Sequence, residues 1–429
     1  MKKSQLSLSQ QRIQIALDFG QTTPSQILGE CMWVASERRA AFEWSAQALA
    51  SGLNPSPFKL PLSPGVHYAD RSPFDGLHAL FSDSIPDGFG LRLMNKGLAD
   101  AGYSLDKVSP LHRLAWVGQR GVGALTYTPM IDGASAQDLM DLSALATHAV
   151  SAQVEVLQDL PRPIIRAGGS ALGARPKFWA AIGRDRQSVI LGDEANTLQG
   201  FDACLLKFAP SLGDPYEPYF EAACLKLAAE HGVKAARGEL LMHAHGPALA
   251  VHRFDRSPGG ERLHTQSVAA LLGLDFREAN MDYTALAKLV KQLAGDEALE
   301  VLYRQLCFNV AMSMRDDHTK NFAFCMNSAG SWELSPAFDL CPSLGLGYTQ
   351  EHTMTLNGKG THISRDDLLV FAGSLGLSNQ LARDGLDQAR AAASKFEGEA
   401  MRTGAPKSPT RAWVSRFKEI DKYLAPSII

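Results

Sequence analysis

Arg315-Asp316-Asp317-His318-Thr319-Lys320-Asn321, followed by Asp339 in Ser335-Pro336-Ala337-Phe338-Asp339, is the stretch that decides how this chain reads. An aspartate, four residues, an asparagine and a later aspartate is a spacing suited to phosphoryl transfer. That chemistry needs a carboxylate to orient an attacking hydroxyl. It also needs hard oxygen ligands for Mg²⁺, which prefers carboxylate and amide oxygens. On this reading Asp316 is the catalytic base, and Asn321 and Asp339 are the metal ligands. Asp and Asn also form turns, so the stretch gains meaning from what surrounds it.

Upstream, Leu299, Leu302, Tyr303, Leu306 and Val310 recur at helical spacing, which predicts a long helix leading into the Asp316 loop. Farther back, Cys204-Leu205-Leu206-Lys207-Phe208 reads as a strand with one lysine in an apolar run. Such a lysine either reaches solvent from an edge strand or meets an anion, which in phosphoryl transfer is the nucleotide phosphate. Tyr219 to His231 predicts a helix, and Glu221 on it is the best partner for Lys207, with Glu217 the alternative. Gly168-Gly169-Ser170-Ala171-Leu172-Gly173 predicts a glycine-rich turn whose Gly168, Gly169, Ser170 and Gly173 could admit a polyanion to backbone N–H groups. It lacks the Gly-Lys-Ser/Thr ending of a Walker loop. Glycine turn, strand lysine, helix glutamate, hairpin, helix, Asp-x₄-Asn and Asp follow the order of a kinase.

The rest of the chain sets limits. Its 429 residues allow two or three domains, and 45% hydrophobic with 20% charged residues is ordinary for a globular protein. A formal charge of −3 argues against bulk electrostatic binding of nucleic acid. The polar stretch Met1 to Arg12 is unlike a signal peptide, and no run approaches the roughly 18 apolar residues of a membrane span. Six scattered cysteines without a Cys-x-x-Cys pair suit buried thiols in a reducing cytoplasm. His243, His245 and His252 lack acidic or thiol company, and no metal site is expected there.

Strands are expected over Ile27–Val34 and Ala40–Trp44, joined as a hairpin, and over Ala124–Thr128, with a helical region at Leu77–Leu98 broken at Ile85-Pro86-Asp87-Gly88. The segment Gly133 to Asp159 reads as helical, with Leu142, Leu145 and Val150 on its apolar side. Strands follow at Phe178–Ile182 and Ser188–Leu191, then a hairpin of Leu240–His245 and Ala248–Phe254 across Gly246-Pro247. Beyond Asp282 the chain turns helical, with a last long region at Ser364–Glu399 and a short terminal helix. The expected fold is α+β: a two-lobed protein-kinase-like fold with an additional small N-terminal α/β domain. Its parts would span 1–135, 150–260 and 261–429.

Several blocks together resemble the HipA-type toxin kinases of bacterial type II toxin–antitoxin systems. They are Ser170-Ala171-Leu172-Gly173-Ala174-Arg175-Pro176-Lys177, Leu206-Lys207-Phe208, His252-Arg253-Phe254-Asp255-Arg256, Asp316 to Phe322, and Pro336-Ala337-Phe338-Asp339. Phe81 to Asp87 and Val122-Gly123-Ala124-Leu125 are similar to that family's N-terminal domain. The resemblance implies a cytoplasmic serine/threonine kinase that uses ATP and Mg²⁺, with Asp316 catalytic, Asn321 and Asp339 on the metal, and Lys207 on phosphate. It gives Ser170 the position of an autophosphorylated serine, where a dianion would oppose nucleotide phosphates. Arg253 and Phe254 are candidate cofactor-binding residues, in a run that also reads as structural, its ion pairs fixing a hinge between lobes. It points to an aminoacyl-tRNA synthetase as the protein substrate, and to a helix-turn-helix antitoxin that supplies any DNA contact. His252 departs from the family's usual glutamate, and Arg175-Pro176 from the Gln-Glu of its best-known member, which marks a different branch. A catalytically inactive co-repressor module and a small-molecule phosphotransferase are the competing functions.

Overall fold

The computed structural model describes residues 12–21, 23–131, 138–153, 160–171, 175–191, 199–209, 215–279, 281–345 and 348–426. The chain forms two compact units. One comprises Met1–Gly213, Leu241–Leu274 and Cys325–Ser331; the other comprises Asp214–Leu240, Asp275–Phe324 and Trp332–Ile429.

In the first unit an antiparallel sheet orders its strands Val66–Tyr68, Arg39–Trp44, Gln26–Val34, Arg12–Leu17, Leu125–Thr128. The hairpin of the second and third strands is as expected, with Cys31 opposite Phe42. The strand Arg12–Leu17, paired on both sides, begins where the polar stretch Met1 to Arg12 ends and was not expected. Its Ile13, Ile15 and Leu17 are fully buried, alternating with exposed or half-buried residues. This period-two pattern spans six residues between polar neighbours, too short to stand out.

A second sheet orders Gly238–His243, Gly246–His252, Phe201–Phe208, Lys177–Gly183, Ser188–Leu191 and Asp138–Asp141. Two expectations need correction here. The hairpin turns at Ala244-His245 rather than at Gly246-Pro247, because both latter residues join the returning strand. The stretch expected to be wholly helical contains the strand Asp138–Asp141, paired with Ser188–Leu191, before the helix Leu142–Gln153. Leu142 and Leu145 are buried on that helix, but Val150 is 46% exposed.

Buried charges tie distant segments of this unit. The Asp255 carboxylate accepts from Arg253 at 2.7 Å, from Arg256 at 2.8 Å and from the Gly123 amide at 2.7 Å. Arg256 returns a bond to the Gly123 carbonyl, and Arg253 donates to Gly121. Gly123 has φ +76, and a Cβ there would lie 2.7 Å from the Thr265 nitrogen, so no other residue fits without a shift. Asp83 accepts from both the amide and hydroxyl of Ser267, the residue that caps Val268–Leu272. These contacts give physical roles to Asp83, Gly123 and the Arg253–Arg256 block.

The second unit is helical, as expected beyond Asp282. Asn379–Arg402 packs against Glu217–Glu230, Ala298–Ala311, Arg365–Ser374 and Lys407–Leu424. Its buried face is mostly small, with Ala382, Gly385, Ala389, Ala392 and Ala400, so neighbouring helices approach closely. Phe396 anchors one end, its ring 5.8 Å from Phe220 and 5.1 Å from Phe417. The single helical region expected over Ser364–Glu399 is two helices, because Gly376 takes φ +78 and Ser378 caps a new start. Among the described residues no helix is long and apolar enough to cross a membrane.

Two expectations follow for stability. Removing Asp255 leaves two buried guanidiniums without their shared carboxylate, so Asp255→Ala should lower the unfolding free energy by about 3–5 kcal/mol in denaturant titrations. His78 and His264 are buried against the carbonyls of His67 and Pro55, and burial lowers both pKa values to about 4. The unfolded chain therefore takes up these protons first. Their contribution is intact above pH ~6.5 and lost as pH falls toward 4, by up to about 3 kcal/mol per histidine. A His264→Gln variant should show a flatter dependence of stability on pH over that window; an unchanged slope would refute the attribution.

Candidate functional site

The predicted helix is Ala298–Ala311, and Leu299, Leu302, Tyr303, Leu306 and Val310 are all buried. At its end the chain reverses through Ser313, which holds φ +54, and enters the Asp316 loop. The loop is strapped from beneath. The amides of Arg315 and Asp316 both donate to the Ser343 hydroxyl, at 3.0 and 3.1 Å.

The two adjacent aspartates differ completely. Asp317 has a side chain 1% exposed and accepts four hydrogen bonds. They come from the Tyr283 hydroxyl (2.9 Å), His352 Nδ1 (2.9 Å) and the amides of Thr353 (2.8 Å) and Met354 (3.3 Å). Burial, with the Asp317 charge second, raises the pKa of Tyr283 far above its ordinary value, so its hydroxyl remains a donor. Asp316 instead keeps a side chain 39% exposed, with His318 Nε2 3.7 Å from its Oδ1. Asp317 is thus the anchor and Asp316 the presented group. Asn321 donates from Nδ2 to the Asp316 carbonyl at 2.7 Å, which turns its amide oxygen away as an acceptor.

Asp339 reaches the same place from another direction. Ala337 bridges to the chain at Ala235, through Ala337 N to Lys234 O (2.7 Å) and Ala236 N to Ala337 O (2.8 Å). Two residues later Asp339 takes φ +55, a left-handed conformation that Asp tolerates better than most residues and that clusters at functional sites. Asp316, Asn321 and Asp339 line one cavity of about 10 Å³, with Gln305, Asn309 and Asp317 behind them. That is room for one water-sized occupant. Its oxygens are hard donors, the kind a small divalent cation prefers. Among the described residues no three His, Cys, Asp or Glu side chains cage an ion on their own. Mg²⁺ sites commonly use one or two carboxylates completed by phosphate and water, and this donor set fits that pattern. Gln305 and Asn309 were not singled out from the sequence. The signal was there: two amides one turn apart on a helix whose Leu302, Leu306 and Val310 mark its buried side, and they are 4% and 2% exposed.

The remaining candidates are placed as follows. Lys207 lies on a strand bonded on both sides, opposite Lys177 and Leu249, so the edge-strand alternative is excluded. Residues directly opposite project to the same face, so Lys177 and Lys207 form a pair of cations, the first 6% exposed and the second half-buried. Glu221 is 3% exposed on Glu217–Glu230 and belongs to the second unit, whereas Lys207 belongs to the first.

The glycine-rich turn is corrected in part. Gly168 ends the helix Arg162–Gly168, and the turn begins only at Gly169. A Cβ at Gly168 would lie 2.3 Å from Leu93, and one at Gly169 2.6 Å from the Ile165 carbonyl. The Gly169 amide already donates to that carbonyl. Packing of this helix against Gly88–Asp100 thus accounts for both glycines. Ser170 is 2% exposed, and its hydroxyl donates to the carbonyls of Arg166 (3.2 Å) and Ala167 (3.4 Å). Gly173 lies outside the described residues. Trp179 donates to the Ser170 carbonyl at 2.9 Å and carries the Arg253 guanidinium over its ring at 4.3 Å. Arg253 therefore links the Ser170 turn to the Asp255 network, while Phe254 is half-buried.

Comparison with known proteins now bears on these placements. The model of the HipA N-terminal domain matches residues 24–128, and that of the HipA-like C-terminal domain matches residues 169–396. A candidate kinase of Sinorhizobium fredii (strain NBRC 101917 / NGR234), Y4dM, is 29% identical over 183 residues, 41% of this chain and 42% of its own length. The chain thus spans less than half of that curated relative. Among solved structures, the HipA of Shewanella oneidensis MR-1, determined with HipB and operator DNA, superposes with a TM-score of 0.66 at 17% identity over 95% of each chain. At that identity the likeness is one of fold, and it gives the kinase-like α+β fold with an N-terminal domain expected from the sequence. With both halves matched by their own domain models, and the C-terminal match alone covering more than half of its length, the chain belongs to the HipA family.

Proposed function

We propose that this protein is an ATP- and Mg²⁺-dependent serine/threonine protein kinase that acts as the toxin of a type II toxin–antitoxin pair. The observation that carries the reading is the shared cavity of Asp316, Asn321 and Asp339 at the end of a buried helix, beneath a loop fixed by Asp317. In this reading the Asp316 carboxylate accepts the hydrogen bond of the substrate hydroxyl and lines it up for attack; it takes the proton as the oxygen–phosphorus bond forms and the bond from the γ-phosphorus to the bridging oxygen breaks, releasing ADP. Asn321 and Asp339 hold the metal, which when bound neutralises charge on the nucleotide phosphates. Lys207, with Lys177 opposite, supplies cationic contacts to phosphate. A small antitoxin is the natural partner: the Shewanella HipA was solved with HipB and operator DNA, and family membership motivates the same arrangement here. The resemblance directs the substrate search to aminoacyl-tRNA synthetases. Incubating lysate with the protein and labelled ATP, then identifying phosphorylated products by mass spectrometry, separates a protein substrate from a small molecule.

The adjacent aspartates give a discriminating test. Asp316→Ala should fold with near wild-type melting temperature yet transfer phosphate ~10²–10⁴-fold more slowly, as removal of a general base does. Asp317→Ala should strip four buried donors of their acceptor and lower stability by about 3–5 kcal/mol. Intact turnover in Asp316→Ala would end the catalytic assignment. Chelation of Mg²⁺ should likewise abolish turnover, and Asp339→Asn should raise the Mg²⁺ concentration needed for half-maximal rate.

A further inference from the structure

A cavity of about 510 Å³ opens in the second unit, well separated in character from the small carboxylate-lined one. Its polar lining includes Arg315, Arg416, His352, His362 and Tyr423, together with one carboxylate, the exposed Glu419, which is paired with Lys422 at 2.6 Å. Its apolar lining comes from Val310, Leu344, Ile363 and Ile420. Cavities that hold small organic ligands fall in this size range and pair an apolar wall with a few convergent polar groups.

The two arginines are the feature to be explained. Arg315 is 6% exposed; one of its Nη groups donates to the Gln350 carbonyl, and its Nε is buried without a hydrogen-bond partner. Arg416, on the helix Lys407–Leu424, likewise holds its Nε buried and unpartnered. Burial first, and then the Arg416 charge, lower the pKa of Arg315. The acids nearby offset this weakly. Asp317 is occupied by its four donors, Glu351 pulls at Arg315 without forming an ion pair, and Glu419 is exposed at the rim. Buried guanidinium donors are costly to leave unmet, and a planar fork is suited to a phosphate or carboxylate. His362 and Tyr423 stand edge to face at 5.2 Å and offer ring surface beside that cationic corner.

We propose that this cavity is a second anion site that binds a small phosphorylated molecule, its phosphate on Arg315 and Arg416 and its body against the apolar wall. Two guanidiniums with imidazole and hydroxyl donors favour a dianion over a single carboxylate. The site has a direct line to the Asp316 loop. Arg315 is the residue before Asp316, its amide is held by Ser343, and its carbonyl accepts from Thr353 N (3.2 Å) and Oγ1 (2.9 Å). An anion that fixes the Arg315 side chain fixes one end of that loop. This regulatory consequence rests on the phosphoryl-transfer reading; the binding itself does not.

Calorimetric titration of the full chain with inorganic pyrophosphate tests the site. Arg416→Gln, at a half-buried position of the last helix, should weaken binding about 10-fold or more, the effect of losing one charge-assisted contact. Arg315→Gln should do the same if it folds, and Arg416→Gln decides the matter if it does not. Lys207→Met, in the other unit, should leave this binding in place. Absence of binding at millimolar pyrophosphate, or binding lost in Lys207→Met and unchanged in Arg416→Gln, would overturn the proposal. Arg416-dependent binding in a chain that transfers no phosphate would uphold the anion site and remove the kinase reading instead.

Discussion

Four hydrogen bonds converge on the carboxylate of Asp317, from a tyrosine, a histidine and two backbone amides. In a place nearly closed to water each is worth more than at the surface, and losing the acceptor would strand every donor at once. The chain can therefore hold the next residue in a defined position without burying it. Asp316 gains its presentation from the immobility of its neighbour, with Ser343 fixing the backbone on its other side. A polar loop of ordinary composition is in this way as rigid as a core element.

The same principle appears in the first unit with charge in place of neutral donors. Asp255 is buried with two arginines, and their remaining donors go to the carbonyls of Gly121 and Gly123. A buried ion cluster is a poor source of net stability compared with apolar packing. Its value here is geometric, because these bonds hold the Gly121–Gly123 turn and the Arg253–Arg256 block in one register. Through Arg253 and Trp179 that register extends to the Ser170 turn.

What the sequence disclosed follows from how local each signal is. The helix Ala298–Ala311 and the loop after it were legible because helical periodicity and a spaced Asp/Asn set are both short-range patterns. Lys207 was legible as an anomaly, yet the strand's central position was not, since edge and centre differ only in distant pairing. Arg12–Leu17 escaped because six alternating residues carry little weight beside a polar terminus. The glycines at 168 and 169 were ambiguous for a related reason. A missing side chain serves helix packing as well as anion approach, and the packing need shows only through a distant neighbour such as Leu93. Which of two consecutive aspartates is the anchor depends on Tyr283, His352 and Thr353, on either side of them and far away in the chain.

The placement of the Ser170 hydroxyl carries a kinetic consequence. It points back into the last turn of its own helix, against two carbonyls and away from solvent. Any reagent or enzyme that acts on that oxygen must wait for the helix end to fray. Access to that oxygen is then set by how often the helix end opens, and not by the reactivity of the hydroxyl itself.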